Sequence, residues 1–323
     1  MTDLLLLSLA PAQTWLQVVL LIIGIVVVLK GADFLTGGAV GLAQRMGVPQ
    51  IVIGLTIVAI GTSMPEFFVS LMSAINGTPD LAVGNIVGSN IFNALLIVGV
   101  AAMVAPITIL RSTVKKDIPI AIFASVLLMG MTLDGSISRV DAAILFVFFI
   151  AFIWLTLRGA KKEGTGDDAQ TAKPIGVAKA VGLVVAGLVF LVGGSNVFVD
   201  NASALAHGMG ISDAVIGLTI VAGGTSLPEL ATSVVAAKKG NSGIAIGNVL
   251  GSNVFNILMI LGITGLVQPM TISGITMVDL TMMVVSMVLL WLFSFTKYRI
   301  ERWEGVVLTV VFLGYISWLV VNA

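Results

Sequence analysis

Residues 52–100 of this chain recur at 215–263. With a constant offset of 163 and no gap, 27 of the 49 positions from Val52 to Val100 are identical, a match that chance does not produce. The likeness extends more sparsely outward, with Gly31 facing Gly194, Leu42 facing Leu205, Gly47 facing Gly210 and Arg139 facing Arg302. A chain with two copies of one unit builds both alike, so the fold of one half constrains the other.

The solvent for that unit is read from composition. Of the 323 residues, 58% are hydrophobic and only 10% charged, whereas a soluble domain carries roughly a quarter charged residues. Apolar runs long enough to cross a bilayer core, about 20 residues each, recur from end to end. They place helices near 16–41, 50–75, 80–105, 117–134, 138–158, 174–205, 213–237, 243–268, 277–296 and 303–322. The N-terminus, Met1-Thr2-Asp3 followed by apolar Leu4 to Ala10, has no basic region ahead of the apolar stretch and reads as a short leader into the first span, not a cleaved signal peptide. Net charge is zero, so the total says little about partners; the expected partners are the lipid bilayer and small ions, with no nucleic acid. The absence of cysteine and the single histidine, His207, exclude thiolate or histidine-cluster metal chemistry and a cysteine nucleophile.

The expected fold class is an all-α integral membrane protein, about ten transmembrane helices arranged as two five-helix repeats. Residues 1–160 form the first repeat, 161–173 a polar cytoplasmic linker and 174–323 the second. An odd number of crossings per unit makes the second copy enter the membrane from the opposite side, the inverted repeat of many secondary transporters. Loop charges agree. Arg45, Arg111, Lys115, Lys116, Arg158, Lys161, Lys162, Lys173, Lys179, Lys238, Lys239, Lys297, Arg299 and Arg302 fall on one side; only Arg139 falls on the other, and Lys30 lies within the first span. The positive-inside rule then places both termini outside and the linker in the cytoplasm. Lys30 and Asp33, three residues apart on the first span, can pair, but Gly193 and Asn196 replace them in the second half, and the two read as structural or gate-lining.

Each repeat carries Gly-Thr-Ser-x-Pro-Glu deep in an apolar helix, Gly61 to Glu66 and Gly224 to Glu229. A mid-helix proline removes a hydrogen bond and clashes with the carbonyl four residues back, so Pro65 and Pro228 are expected to free carbonyls near Ala59 to Gly61 and Ala222 to Gly224. A carboxylate at mid-membrane costs at least about 2.5 kcal/mol and faces a partner or a cavity; no basic residue is near either glutamate in sequence. Thr62 and Ser63, four and three residues before Glu66, share its face of a continuous helix, as Thr225 and Ser226 do for Glu229. The set is oxygen-only and suits hard ions such as calcium, sodium or magnesium.

The next helix in each half carries Gly-Asn-x-x-Gly-Ser-Asn-x-Phe-Asn, Gly84 to Asn93 and Gly247 to Asn256. Asn85, Ser89 and Asn93 form one polar stripe, and Asn248, Ser252 and Asn256 its copy. Gly84 and Gly88, like Gly247 and Gly251, permit close helix approach. Asparagine and serine between membrane helices also serve as packing glue, so Asn85 and Asn248 either reach the ion or fasten the broken helices.

With these motifs in view, the chain resembles the calcium/cation antiporter superfamily and, within it, the prokaryotic sodium/calcium exchanger-like proteins. The resemblance implies site residues at Thr62, Ser63, Glu66, Ser89, Asn93, Thr225, Ser226, Glu229, Ser252 and Asn256 with the carbonyls of Ala59 and Ala222. It also implies exchange of Ca2+ for Na+ as transported ions without a resident cofactor, alternating access by sliding of helices one and six, and a prokaryotic plasma-membrane location. Several members of the family carry aspartate at the position of Asn256, which here is an amide and weakly favours a potassium-independent cycle. Proton-coupled relatives usually carry a glutamate where Gly88 and Gly251 stand. Proton/calcium antiport, and from another class a cation channel, are the competing readings. The absence of His-Glu-x-x-His and Gly-x-Ser-x-Gly argues against an intramembrane enzyme.

Overall fold

The structure, a computed structural model, describes residues 13–163, 175–209 and 222–322. Helix α1 spans Thr14–Met46, α2 Gln50–Thr62, α3 Met64–Ile75, α4 Pro79–Val104 and α5 Thr113–Asp134. Then come α6 Arg139–Glu163, α7 Val177–Gly208, α8 Ala222–Thr225, α9 Leu227–Lys238, α10 Ser242–Val267, α11 Met277–Ser294 and α12 Arg302–Asn322. Eight of these are long and apolar enough to cross a membrane singly, and α2 with α3 makes a further span bent by 47°. The expected helix at 213–237 is represented by α8 and α9, its start lying outside the described residues, as does the expected linker from Gly164 onward. The protein is a multi-pass, all-α membrane protein.

The inverted symmetry is written in the contacts. Helices α1 and α7 run antiparallel, with Gly24 against Gly194 and Gly31 against Gly187. Adding 163 to Gly24 and Gly31 gives Gly187 and Gly194, so each contact is the image of the other with the partners exchanged. The approach is close: a Cβ on Gly31 would lie 2.8 Å from the backbone nitrogen of Leu191, and one on Gly187 2.6 Å from that of Leu35. Two short ribbons obey the same rule. Strand β1 (Ile107–Thr108) pairs with β4 (Arg299–Ile300) in the register Ile107 to Ile300, and β2 (Ser136–Ile137) pairs with β3 (Met270–Thr271) in the register Ile137 to Met270. Each ribbon joins one repeat to the other.

Helix α10 is the innermost element, with every residue from Gly243 to Val254 buried. Its glycines make this possible, since Gly247 meets the backbone of Ile51 and Gly54, and Gly251 meets Leu55 and Ala59. Outward-facing Ile22, Val26, Val147, Ile150, Val189 and Val310 are exposed, as bilayer-facing residues must be. Acidic caps close helix starts near the loops: Asp279 and Thr276 form a capping box on α11, Asp279 also accepts from the Tyr315 hydroxyl at 2.6 Å, and Glu304 accepts from the Glu301 N–H at 2.7 Å. His207 stands in the last turn of α7. Of Lys30 and Asp33, the aspartate pairs with Lys239, just beyond the end of α9, whose long side chain reaches α1.

The α1–α7 crossing leaves no room for a side chain at its glycines, whereas a methyl group added at Gly182 on the same helix would meet nothing within 4 Å. Gly187→Val is therefore expected to destabilise the protein by about 1–3 kcal/mol through overpacking, read as a lowered melting temperature in detergent. Gly182→Val is the control, and an equal loss in both would remove the crossing as the cause.

Candidate ion-binding site

The site begins at two breaks. Helix α2 passes through a π turn at Gly54–Val58 and stops at Thr62; Ser63 (φ −84°, ψ 9°) leaves the helix, and α3 restarts with Pro65 in its first turn. There the missing proline N–H costs nothing, because the first turn has no intrahelical acceptor for it. Ser226 (φ −87°, ψ 6°) and Pro228 repeat the arrangement between α8 and α9. The expected release of carbonyls is narrower than the motif alone implies. Ala59 still accepts from the Ser63 N–H at 3.0 Å, with the Thr62 hydroxyl at 3.4 Å. Gly61 is the residue that cannot accept from Pro65. Its counterpart, Gly224, accepts instead from the Ser195 hydroxyl of α7 at 2.6 Å, whereas Ala32 occupies the place equivalent to Ser195 in α1. Ala222 opens α8 at the position matching Ala59.

Glu66 and Glu229 are each 1% exposed. The serine hydroxyls do not serve the glutamate of their own motif, as a continuous helix would require. Ser63 donates to Glu229 Oε1 at 3.0 Å and Ser226 donates to Glu66 Oε1 at 3.1 Å. The break at each serine turns its hydroxyl off the face of the following helix and toward the other repeat. Ser252 lies 3.5 Å from Glu229 Oε1, whereas Ser89 lies 3.3 Å from Ser226 Oγ and so meets the serine that serves Glu66. Thr62 donates to Asn248 Oδ1 at 3.0 Å, and Thr225 is half-buried at the matching point. The second oxygen of each glutamate, Oε2, is buried without a hydrogen-bond partner, and among the described residues no lysine, arginine or histidine pairs with either.

The asparagines divide into two kinds. Asn85 and Asn248 fasten the broken helices. Asn85 donates to the Glu66 carbonyl at 3.3 Å and to Ser70 at 3.0 Å, and Asn248 donates to the Glu229 carbonyl at 3.2 Å and to Ser233 at 3.0 Å. Asn93 and Asn256 instead leave their oxygens, Oδ1, buried and unpartnered. Their nitrogens donate to two residues outside the predicted stripe: Asn93 to Asn253 Oδ1 and Asn256 to Asn90 Oδ1, both at 3.0 Å. Asn90 and Asn253 are identical in the two copies although they lie off the polar stripe, and that identity is the signal by which the sequence could have marked them. Ser195 has no such signal.

Inverted, discontinuous-helix repeats around a polar centre define a membrane transporter, not an enzyme. The family model described as sodium/calcium exchanger protein matches residues 16–158 and 179–321, two stretches again separated by 163. The inner membrane protein YrbG of Escherichia coli is 37% identical over 321 residues, covering 94% of this chain and 98% of that one. The sodium/calcium exchanger MaX1 of Methanosarcina acetivorans is 34% identical, covering 92% and 96%. A solved structure of the sodium-calcium exchanger NCX_Mj superposes with a TM-score of 0.84 at 31% identity, covering 95% of this chain and all of the other. The chain belongs to the sodium/calcium exchanger family.

Asn248 donates two hydrogen bonds and accepts a third, all in a fully buried setting. Asn248→Leu is expected to cost a few kcal/mol, since each lost bond leaves a buried partner unsatisfied. Thermal unfolding in detergent checks this; a melting temperature within error of wild type would show that the clasp is dispensable.

Proposed function

We propose that this protein exchanges Ca2+ for Na+ across the membrane by alternating access, binding the ions between Glu66 and Glu229. The observation that carries the reading is the pair of buried carboxylates, each with one oxygen bonded to the opposite repeat and one oxygen free. Two negative charges taken out of water without a counter-charge are costly. A cation that arrives and leaves supplies the charge, and the surrounding hydroxyl and amide oxygens suit a hard one. Thr62, Ser63, Ser89 and Asn93, with Thr225, Ser226, Ser252 and Asn256 and the carbonyls of Ala59 and Ala222, complete the proposed ligand set. The names of MaX1 and NCX_Mj, both sodium/calcium exchangers, favour these two ions over other pairs.

In the proposed cycle α1 and α7, held together through their glycines, slide as one body past the remaining helices. A loaded site is neutral and the body moves; an unloaded site keeps two buried charges, which raises the barrier and makes exchange obligatory. The two repeats, 1–160 and 174–323, would then present the same site alternately to either side. The one-sided loop charge supports both termini outside and the 161–173 linker in the cytoplasm, and the likeness to the inner membrane protein YrbG supports a plasma membrane of prokaryotic type.

Calcium uptake into sodium-loaded proteoliposomes tests the proposal. Wild type is expected to accumulate calcium only with internal sodium, and Glu66→Gln to lose at least about 100-fold of the rate, the scale of removing a buried charge that must neutralise the ion. Uptake driven by a proton gradient in potassium-loaded vesicles would transfer the protein to proton-coupled exchange. Full activity in Glu66→Gln would overturn the site.

A further inference from the structure

We propose that Asn90 and Asn253 are positioning residues for the ion site: each fixes which atom of the opposite repeat's asparagine amide, Asn256 and Asn93 respectively, meets the cation. The inference rests on the exchange reading above and deepens it. An asparagine amide has nearly the same shape either way round, but one face offers an acceptor oxygen and the other two donor hydrogens. Toward a cation only the oxygen is attractive. The choice between the two is therefore a matter of binding energy, and it must be made by whatever engages the other atom.

Here the choice is anchored to groups that cannot turn over. The Asn253 amide nitrogen donates to the backbone carbonyl of Asn90 at 3.3 Å, and the Asn90 amide nitrogen donates to the backbone carbonyl of Asn253 at 3.2 Å. A carbonyl only accepts, so each of these amides must turn its nitrogen that way and its oxygen the other. Those oxygens in turn only accept, and the atoms they accept from are the nitrogens of Asn93 and Asn256. The chain of constraint runs from backbone carbonyl to Asn253 to Asn93, ending on an oxygen. All four residues are no more than 1% exposed, so water does not relieve a wrong orientation. At the end of each chain stands a buried Oδ1 with no hydrogen-bond partner, a cost that a bound cation offsets. The chains cross between repeats, so each half orients a ligand belonging to the other.

Calcium chloride titration of the purified protein by calorimetry in sodium-free buffer tests this, with folding monitored by size exclusion. Asn253→Leu frees the Asn93 amide to turn and is expected to weaken calcium binding about tenfold, the worth of one buried hydrogen bond that enforces the favourable orientation. Aspartate at 93 has no wrong orientation, since both of its terminal atoms are oxygens. Asn93→Asp should thus improve binding about tenfold more in the Asn253→Leu background than in wild type, whereas Asn256→Asp should improve it equally in both. Unchanged binding in Asn253→Leu, or equal gains from the two aspartates, overturns the proposal. If Asn253→Leu does not fold, Asn253→Asp replaces a single atom, keeps the acceptor for Asn93 and drops the donor to Asn90. It is expected to bind calcium no more than about threefold more weakly than wild type, and a tenfold loss would overturn the proposal. A wild type that binds no calcium would instead refute the calcium reading, and the same variant series titrated with sodium chloride would then decide the positioning role.

Discussion

Two carboxylates enclosed at the centre of an apolar bundle are the constraint on which the rest of the structure depends. Each needs oxygen-directed donors, and on the proposed reading these are not themselves cations, because a permanent counter-charge would neutralise the site and leave nothing for an ion to do. The bundle supplies them as single hydroxyls from the opposite repeat, Ser63 to Glu229 and Ser226 to Glu66. Such a crossing bond requires the serine to point away from the helix that carries its neighbouring glutamate. A helix break at the serine achieves this, and the proline two residues on lies in the first turn of the restarted helix, the one place where proline is harmless. The glycines of α10 follow in turn, since Gly247 and Gly251 let α10 approach the broken helix α2 closely enough for Thr62 to reach Asn248.

Because the repeats are inverted, nearly every central contact is made twice with its partners exchanged. Two of the exceptions are informative. Ser195 satisfies the carbonyl of Gly224, while Ala32 offers nothing to Gly61; Asp33 pairs with Lys239, while their counterparts Asn196 and Asn76 carry no charge. Both asymmetric contacts tie the α1–α7 body to the core. A body that slides between two symmetry-related positions would make these contacts in one position and lose them in the other, so the two states differ in energy by construction. In the proposed cycle, symmetry makes alternate access available, and its local violations would set which state the unloaded protein prefers.

The duplication made much of this legible. Offset, crossing number and the twin motifs were enough to expect an inverted all-α membrane bundle and to place nine of the ten helices within a few residues of the spans described, 277–296 against Met277–Ser294 for one. The carboxylates and the asparagine stripes were legible because a polar group in an apolar helix is costly and therefore conspicuous. The direction of the serine hydroxyls was not, since helical periodicity assumes a continuous helix and the break falls on the serine itself. Asn90 and Asn253 escaped for a related reason: helical spacing groups residues along one helix, and these two act across the repeat boundary. The partner of Asp33 lies more than two hundred residues away in sequence, beyond any local pattern.

The balance of carboxylates and amides bears on what the proposed site carries. With asparagine at both 93 and 256, the fixed charge of the centre is that of Glu66 and Glu229 alone, and among the described residues no cluster of three or more acidic or histidine side chains adds to it. One divalent ion or two monovalent ions bring that centre to neutrality. A third monovalent ion would find only dipoles, the hydroxyls and the two oriented amide oxygens, and would leave the loaded site with a net positive charge inside the membrane. In that setting the orientation of Asn93 and Asn256 weighs more than it would beside a third carboxylate, because a dipole contributes only when it is turned the right way. On that proposal, the asparagine knot between the repeats lets amides do what a charge would otherwise have to do.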